Sequence, residues 1–341
     1  MAKNNILRKI EEAGLVGRGG GAYPTAQKWS AVQQALAGKK SGYIIVNGAE
    51  GEPAVKKDGY ILDNYAMEVI DGINLADQFL GSKKIKKIYF FLNRSYYRLY
   101  IAKLKNILAA NKYLALAHKL EFIVKPEELV YISGEETALL NLIEGKKIEP
   151  RLKPPFPTSQ GLHGRPTLIN NVETFYNVHL VNQGKYRQER FYTLAGEVKH
   201  RGVFQLPADL TVEEVLRQTK NYPVYKFFVQ VGGEMSGEVL NSQQLDQLVD
   251  GAGLVMVYDQ KWTNKQKLLK YWLKFYHEQS CGNCTICREG TYRLWKLINQ
   301  KEFNEPLFWE IINGLEESSF CGLGFSVPVP IKSYFANILK N

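Results

Sequence analysis

Ser280-Cys281-Gly282-Asn283-Cys284-Thr285-Ile286-Cys287-Arg288-Glu289-Gly290 sets three thiols three positions apart, C-x-x-C-x-x-C. The only other cysteine of the chain, Cys321, stands far downstream. Three clustered thiols and one remote suit a cubane iron–sulfur cluster, because a short loop wraps one side of the cube and cannot also reach its far corner. Four thiolates would equally satisfy tetrahedral zinc, although zinc more often takes them from paired C-x-x-C knuckles. Four unligated thiols in a reducing compartment are the third reading. Cys281, Cys284, Cys287 and Cys321 are therefore the candidate metal ligands.

Upstream of the triplet, Trp262 to Gln279 sets Leu268, Leu269, Trp272, Leu273 and Phe275 on or near one face, which predicts an amphipathic helix. Downstream, Thr291 to Ile298 begins another helix, and Phe320-Cys321-Gly322-Leu323-Gly324-Phe325 delivers the fourth thiol. The glycines beside it leave backbone N–H groups free to reach sulfur. Residues 261–341 read as a helical domain. Residues 188–260 carry a different pattern. Arg190 to Val198 and Gly202 to Leu206 pair across the turn Lys199-His200-Arg201-Gly202. Thr211 stands three before Glu214, a capping box that opens a helix running to Thr219. Tyr225 to Val231 and Gly253 to Tyr258 add two more strands. Two strands, a helix and two strands make a small β-grasp domain with no legible chemistry; spacing and docking are its expected work.

Residues 1–187 alternate strands and helices, which predicts a parallel α/β sheet. Asn5 caps a short helix over 5–13, with Ile6, Ile10 and Ala13 on one face. Tyr43 to Val46, Ile85 to Leu92 and Leu120 to Val124 read as strands. Asn64 to Leu80 and Asn93 to Leu108 read as helices. Between the first helix and the first strand lies Gly17-Arg18-Gly19-Gly20-Gly21-Ala22-Tyr23-Pro24-Thr25-Ala26-Gln27-Lys28-Trp29. Its bare backbone can approach a phosphate, and a helix starting near Thr25 would aim its positive end at the same anion. The G-x-G-x-x-A spacing is a weak dinucleotide fingerprint, since a helix precedes it and no acid follows about 20 residues later.

Asn47-Gly48-Ala49-Glu50-Gly51-Glu52-Pro53 follows the first strand, where ligands of open α/β sheets sit. Tyr131-Ile132-Ser133-Gly134-Glu135-Glu136 places two carboxylates at the first turn of a helix, a capping arrangement in its own right. Arg151-Leu152-Lys153-Pro154-Pro155-Phe156-Pro157 is a basic arm whose prolines hold Lys153 and Phe156 outward. Ile169-Asn170-Asn171 precedes a further helix and offers donors and acceptors to a ring edge or a phosphate.

The chain has 341 residues, a net charge of +10 and 45% hydrophobic residues, enough for large cores. Its basic residues are dispersed and no nucleic-acid module is legible, so acidic partner subunits or an anionic small molecule are the expected counterparts. Met1 to Arg8 has no apolar core of signal-peptide length. No run of about 18 apolar residues occurs, so no direct membrane insertion is expected. Cysteine usage fits a reducing, cytoplasmic compartment, peripheral to the inner face of a membrane only through partners.

These motifs together resemble the flavin-binding subunit of the NADH-oxidising module of respiratory complex I, and the related diaphorase subunits of NAD-linked hydrogenases and formate dehydrogenases. The matching stretches are G-R-G-G-G-A-Y-P-T-A-Q-K-W (17–29), N-G-A-E-G-E-P (47–53), Y-I-S-G-E-E-T-A-L (131–139), P-R-L-K-P-P-F-P (150–157), G-R-P-T-L-I-N-N-V-E-T (164–174) and S-C-G-N-C-T-I-C-R-E-G-T (280–291). They are collinear and span nearly the whole chain. The resemblance implies an α/β fold: a Rossmann-like FMN/NADH-binding domain over 1–187, a ubiquitin-like β-grasp (SLBB) domain over 188–260, and a helical bundle carrying a 4Fe–4S cluster over 261–341. It implies FMN contacts from Arg18, Gly19, Lys28, Asn47, Glu50, Gly134, Glu135, Glu136, Asn170 and Asn171, with Gly17, Tyr131 and Ile169 among the cofactor-binding residues. Gly20, Tyr23, Glu52, Glu136, Lys153 and Phe156 fall on the NADH side, Tyr23 suited to stacking on adenine.

The implied activity is NADH dehydrogenation: hydride to FMN, then single electrons to the cluster and onward to a thioredoxin-like iron–sulfur subunit and a further iron–sulfur acceptor subunit. No side-chain acid or base is required for hydride transfer, so no catalytic proton donor is named. Three positions depart from the family pattern. Ala49 stands where an acid is usual, Ser133 where cysteine is frequent, and Ala31 where an aromatic is usual. Ala49 and Ala31 favour the alternative, a non-catalytic electron relay or scaffold that keeps the cluster and has lost nicotinamide binding.

Overall fold

The computed structural model describes residues 2–39, 41–127 and 131–339. Four strands, β1 (Gly42–Gly48), β2 (Ile85–Leu92), β3 (Leu120–Val124) and β4 (Thr167–Asn171), form one sheet in the order β3-β2-β1-β4. Every pairing in it is parallel. Parallel sheets are covered on both faces, and β1 shows why its sequence suits that position. Ile44 and Val46 join a core built by the helices Ala2–Glu12, Thr25–Ala37, Ala66–Leu80 and Val172–Asn182. Tyr43 and Ile45 point the other way, into a smaller core with Leu139 and Leu140 of the helix Glu136–Ile143. Gly72 lets two of these helices touch: an added Cβ would lie 2.0 Å from the Phe175 carbonyl oxygen.

The strand order reverses direction between β1 and β4. Crossovers build β2 and β3 on one side of β1, and β4 arrives on the other, which opens a crevice at the carboxyl ends of β1 and β4. β4 is a strand without an apolar run to announce it, since Thr167-Leu168-Ile169-Asn170-Asn171 holds only two apolar residues. Two helices differ from expectation. The helix expected over Asn64 to Leu80 runs from Ala66 to Leu80, and a separate helix without an expectation, Lys57–Asn64, precedes it across Tyr65. Asn5 lies inside the first helix, which begins at Ala2, and does not cap it.

A second sheet comprises β5 (Glu189–Gly196), β6 (Gly202–Pro207), β7 (Phe227–Gly232), β8 (Glu238–Asn241) and β9 (Leu254–Asp259), in the order β6-β5-β9-β7-β8. Only β5 and β9 run parallel. The helix Val212–Gln218 packs on it behind the expected Thr211/Glu214 capping box. β8 is a strand beyond the four expected here, a four-residue edge that follows a glycine-flanked turn.

The remaining chain is helical: Lys265–Gln279, Thr285–Leu297, Glu305–Ser318, Gly322–Ser326 and Pro328–Tyr334. The helix after the cysteine triplet starts at Thr285, not near Thr291, so Cys284 stands at its N-cap position and Cys287 lies in its first turn. Trp272, Tyr276, Phe308, Ile312 and Tyr334 fill its core together with Ile132 and Ala138 from the first sheet's surroundings and Phe228 and Met235 from the second. Among the described residues, no helix is long and apolar enough to cross a membrane.

Candidate functional site

A cavity of about 800 Å³ opens at the crevice between β1 and β4. That lies in the upper part of the range for small-molecule sites. Gly17, Arg18, Gly19, Gly20, Tyr23, Lys28, Asn47, Glu50, Glu52, Tyr131, Gly134, Glu135, Glu136, Lys153, Phe156, Ile169, Asn170 and Asn171 all line it. Every non-cysteine residue expected to bind a cofactor thus lines one wall or another of the same cavity.

Their side chains are not equally free. Asn47 ends β1 in register with Asn171 at the end of β4. The Asn47 amide donates to the Gly134 carbonyl at 2.9 Å and accepts from the Ala49 N–H at 3.2 Å. Asn171 donates to the Asn47 carbonyl at 3.1 Å and to Asp58 at 2.6 Å, and accepts from Lys57 at 3.0 Å and from the Glu173 N–H at 3.0 Å. Asn170 accepts from the Trp29 indole at 3.3 Å. The Arg18 guanidinium turns inward, donating to the Tyr186 hydroxyl at 3.2 Å and lying 4.0 Å from Glu173. Its basic charge, which the glycine loop alone would assign to a phosphate, instead serves the wall.

Glu50 accepts from the Asp58 N–H at 2.8 Å and from the Tyr96 hydroxyl. Burial pushes Glu50 up to about 7, with the Asp58 charge adding to it and Lys57 opposing. Burial likewise raises Asp58 against the pull of Lys57. Burial opposes the charge on Lys57, but Asp58 and Glu173, at 2.7 and 3.1 Å, outweigh it and raise its pKa. Beside this network, Lys125 reaches the Ala49 carbonyl at 2.9 Å, and burial lowers it to about 8.

Lys57, Asp58, Tyr96 and Lys125 lie outside every stretch that marks the site, and Glu173, inside the 164–174 stretch, is singled out by nothing there. A Lys–Asp pair opening a helix looks like any solvated helix start, and Lys125 belongs to no motif. Only the fold reveals that these charges are buried.

The rim is different. Tyr23 and Phe156 are each more than half exposed, which leaves two aromatic faces open at the cavity mouth. Glu135 caps the helix Glu136–Ile143, accepting from the Thr137 and Ala138 N–H groups at 2.8 and 2.9 Å. Its other oxygen accepts from Lys153 at 2.8 Å. Burial works against this carboxylate, but Lys153 and Thr137 outweigh it and hold Glu135 below the usual carboxylate range. Lys28 pairs with Glu136 and also donates to the Ile169 carbonyl at 3.2 Å. The N–H groups of Gly19, Gly20, Gly21 and Ala22 find no acceptor among the described residues. A Cβ added at Gly20 or Gly21 would meet nothing within 4 Å. Such a run of free donors fits an anionic group.

The four thiols line a second, smaller pocket with Ile132, Pro150, Ser280, Asn283, Phe320 and Leu323. Among the described residues, no three His, Cys, Asp or Glu side chains are grouped to hold a single metal ion. Three thiols from one loop and a fourth from a remote segment, gathered at one pocket, suit a cluster that offers a separate iron to each thiolate. Burial pushes the Cys287 thiol up to about 12, and the Ser280 hydroxyl lies 3.4 Å from its sulfur. The Leu323 and Gly324 N–H groups reach the Cys321 sulfur, as its flanking glycines suggest. Ile132 and Leu323 line both pockets, so the cavity and the thiol set share a wall.

The family model of the Nuo51 FMN-binding domain matches residues 10–180. That of the NADH-ubiquinone oxidoreductase-F iron-sulfur binding region matches residues 267–338. Relatives include the NADH-quinone oxidoreductase F-subunit 2 of Rhizobium meliloti (strain 1021), 31% identical over 94% of this chain and 84% of its own. The NADH-quinone oxidoreductase F-subunit of Aquifex aeolicus (strain VF5) is 30% identical over 95% of this chain and 82% of its own. Among solved structures, a chain of an NAD+-reducing NiFe-hydrogenase in the H2-reduced state superposes with a TM-score of 0.89 at 27% identity. The match covers 99% of this chain and 61% of the hydrogenase chain. By these matches, the chain belongs to the F-subunit family of the NADH-quinone oxidoreductases.

Proposed function

We infer that the chain is the electron-input subunit of an NADH dehydrogenase, with FMN in the large cavity and a 4Fe–4S cluster on the four thiols. The single observation that carries this reading is the wall of Ile132 and Leu323 common to both pockets. When bound, the flavin takes hydride from the nicotinamide and releases electrons singly to the cluster. The protein's part is binding, orientation and exclusion of water.

The free N–H groups of Gly19 to Ala22 and the Lys28 ammonium are the donors available to an anionic group. Asn47, Glu50, Asn170, Asn171 and Arg18 shape the flavin side, mainly as a hydrogen-bonded backing, with Gly17, Gly134 and Ile169 supplying close backbone. Tyr23, Phe156, Lys153, Glu136 and Gly20 make the nucleotide side, two aromatic faces and a cation at the mouth. Glu52 and Tyr131 lie on that side too, but their polar atoms are bonded to each other at 2.9 Å. Cys281, Cys284, Cys287 and Cys321 hold the cluster.

The same reading divides the chain at 1–187, 188–260 and 261–341. The strand order β6-β5-β9-β7-β8 with one helix supports a β-grasp (SLBB) domain in the middle, and the packed helices support a bundle at the end. A thioredoxin-like iron–sulfur subunit and a further iron–sulfur acceptor subunit take the electrons. The protein works in the reducing cytoplasm, meeting the inner face of a membrane only through those partners.

Protein reconstituted with FMN, iron and sulfide tests the assignment. Flavin absorbance that bleaches on adding NADH is the expected result. An iron–sulfur spectrum with no flavin retained would turn the reading to the electron relay, and a colourless zinc protein would remove both.

A further inference from the structure

The large cavity has a wall that the first sheet does not supply. Gly251 and Ala252, in the turn that leads into β9, line it. The turn is packed from two sides. The Ala252 N–H donates to the carbonyl of Gly232, at the end of β7, at 2.7 Å. A Cβ on Gly251 would lie 3.1 Å from Gly232, and one on Gly253 only 2.7 Å from the Phe191 carbonyl oxygen of β5. Next to Gly232, a Cβ on Gly233 would lie 2.6 Å from Glu52 Cδ. The turn therefore stands beside Glu52, on the nucleotide side of the cavity.

One side chain grips this turn. Arg190 of β5 donates from Nη1 to the Val249 carbonyl and from Nη2 to the Gly251 carbonyl, both at 2.8 Å. It is 7% exposed, and its guanidinium carbon stands 5.4 Å from the Tyr192 ring centre. Among the described residues its Nε has no partner, and neither of its hydrogen bonds goes to a carboxylate. Burial lowers its pKa, with Glu173 opposing and Arg18 adding to the fall. A buried cation without a bonded carboxylate is costly, and an apolar side chain would fill the space without that cost. An apolar side chain could not fix two carbonyls of one turn. The same strand end anchors the glycine loop: Arg18 donates to the Glu189 carbonyl at 3.4 Å. Glu173, 4.0 Å from Arg18, accepts from the Phe191 N–H at 3.2 Å. Two walls of the cavity thus hang on neighbouring residues of β5.

We propose that Arg190 is a positioning residue that holds residues 249–253 as a wall of the nucleotide subsite, which gives the middle domain a direct part in NADH binding. The proposal rests on the NADH dehydrogenase reading and deepens it. The Gly251 N–H takes no acceptor among the described residues, which leaves a donor at this wall for a bound molecule. Gly251 and Ala252 carry no long side chain, so the fit there is decided by where the backbone stands. Lysine at position 190 would keep the charge but lose the rigid fork that sets the spacing of the two carbonyls.

The experiment compares reconstituted wild type with Arg190→Met, Arg190→Lys and Ala252→Leu. Hydrogen–deuterium exchange is followed in peptides covering 249–253, beside FMN content and KM and kcat for NADH. Expected in Arg190→Met is exchange about tenfold faster and KM raised about tenfold, with kcat within about twofold of wild type and FMN retained. Arg190→Lys should fall between the two in exchange and in KM. Ala252→Leu narrows the cavity and leaves the grip alone, so it should raise KM with exchange as in wild type. Faster exchange with an unchanged KM in Arg190→Met would overturn the proposal. So would wild-type exchange in that variant, or a wild-type KM in Ala252→Leu. Should Arg190→Met fail to fold, the other two decide by the same readouts. Wild type that NADH does not bleach would count against the dehydrogenase reading, whereas exchange in Arg190→Met judges the grip on the turn without NADH.

Discussion

Glu50 holds a left-handed backbone, φ 38, at the carboxyl end of β1. That conformation costs a non-glycine residue about 1–2 kcal/mol, and the Asp58 and Tyr96 contacts hold it in place. Its carboxyl is raised to about 7, so the fold favours the protonated form. Stability from this group is complete below its unfolded-state pKa and is lost as pH rises through about 7. The melting temperature should therefore fall between about pH 5 and pH 8, and Glu50→Gln should flatten that part of the curve. An unchanged slope in the variant would remove Glu50 as its source. Glu135 makes a second case. Glu135→Ala loses a helix cap, costing about 1 kcal/mol, and also frees Lys153; a lowered melting temperature with a raised KM for NADH is expected. Both residues are legible as site members from their motifs. Their work is not, because a motif names who lines a cavity and says nothing of which side chains the protein itself has already bonded. Asn171, saturated by four hydrogen bonds, and Arg18, turned inward, are the clearest instances.

Elements are most legible where periodicity is long. Ile85–Leu92 and Leu120–Val124 stand where the apolar runs put them, and the Thr211/Glu214 box opens its helix as written. Short elements escape: β4 has two asparagines at its end because it feeds the site, and β8 has four residues. The helix at Thr285 begins earlier than its apolar pattern suggests, with Cys284 at the N-cap position and Cys287 in its first turn, so the thiol triplet runs into the helix rather than preceding it. Close approach between elements is also invisible in sequence. Gly72→Ala drives a methyl into the Phe175 carbonyl and should cost about 1–3 kcal/mol or more, read as a lower denaturation midpoint with flavin content retained. Full stability in that variant would mean the two helices are freer to part than their packing implies.

At the scale of the whole chain, the sequence separates a flavin-type half from a thiol-bearing end, and the family resemblance implies that electrons pass between them, but it does not say which residues bring them together. That contact is made by residues that lie inside quoted stretches, Ile132 in 131–139 and Leu323 beside Cys321, but that nothing in those stretches marks as a contact. Ile132 and Leu323 are ordinary core aliphatics, and Met235 is one methionine in a turn. Trp272 is buried at the centre of the core that unites the two sheets' surroundings with the helices. Trp272→Ala should cost about 3–5 kcal/mol and loosen cluster retention before flavin retention, measured as iron and FMN content of purified protein. Equal loss of both would mean the core is not specific to the thiol end. Rapid mixing with NADH tests the hand-off across the shared wall most directly, following flavin absorbance and the paramagnetic signal of reduced cluster in wild type and Cys321→Ser. Bleaching in both proteins, with the cluster signal following only in wild type, is the predicted result; a cluster signal of wild-type size and rate in Cys321→Ser, or in wild type stripped of flavin, would contradict the account.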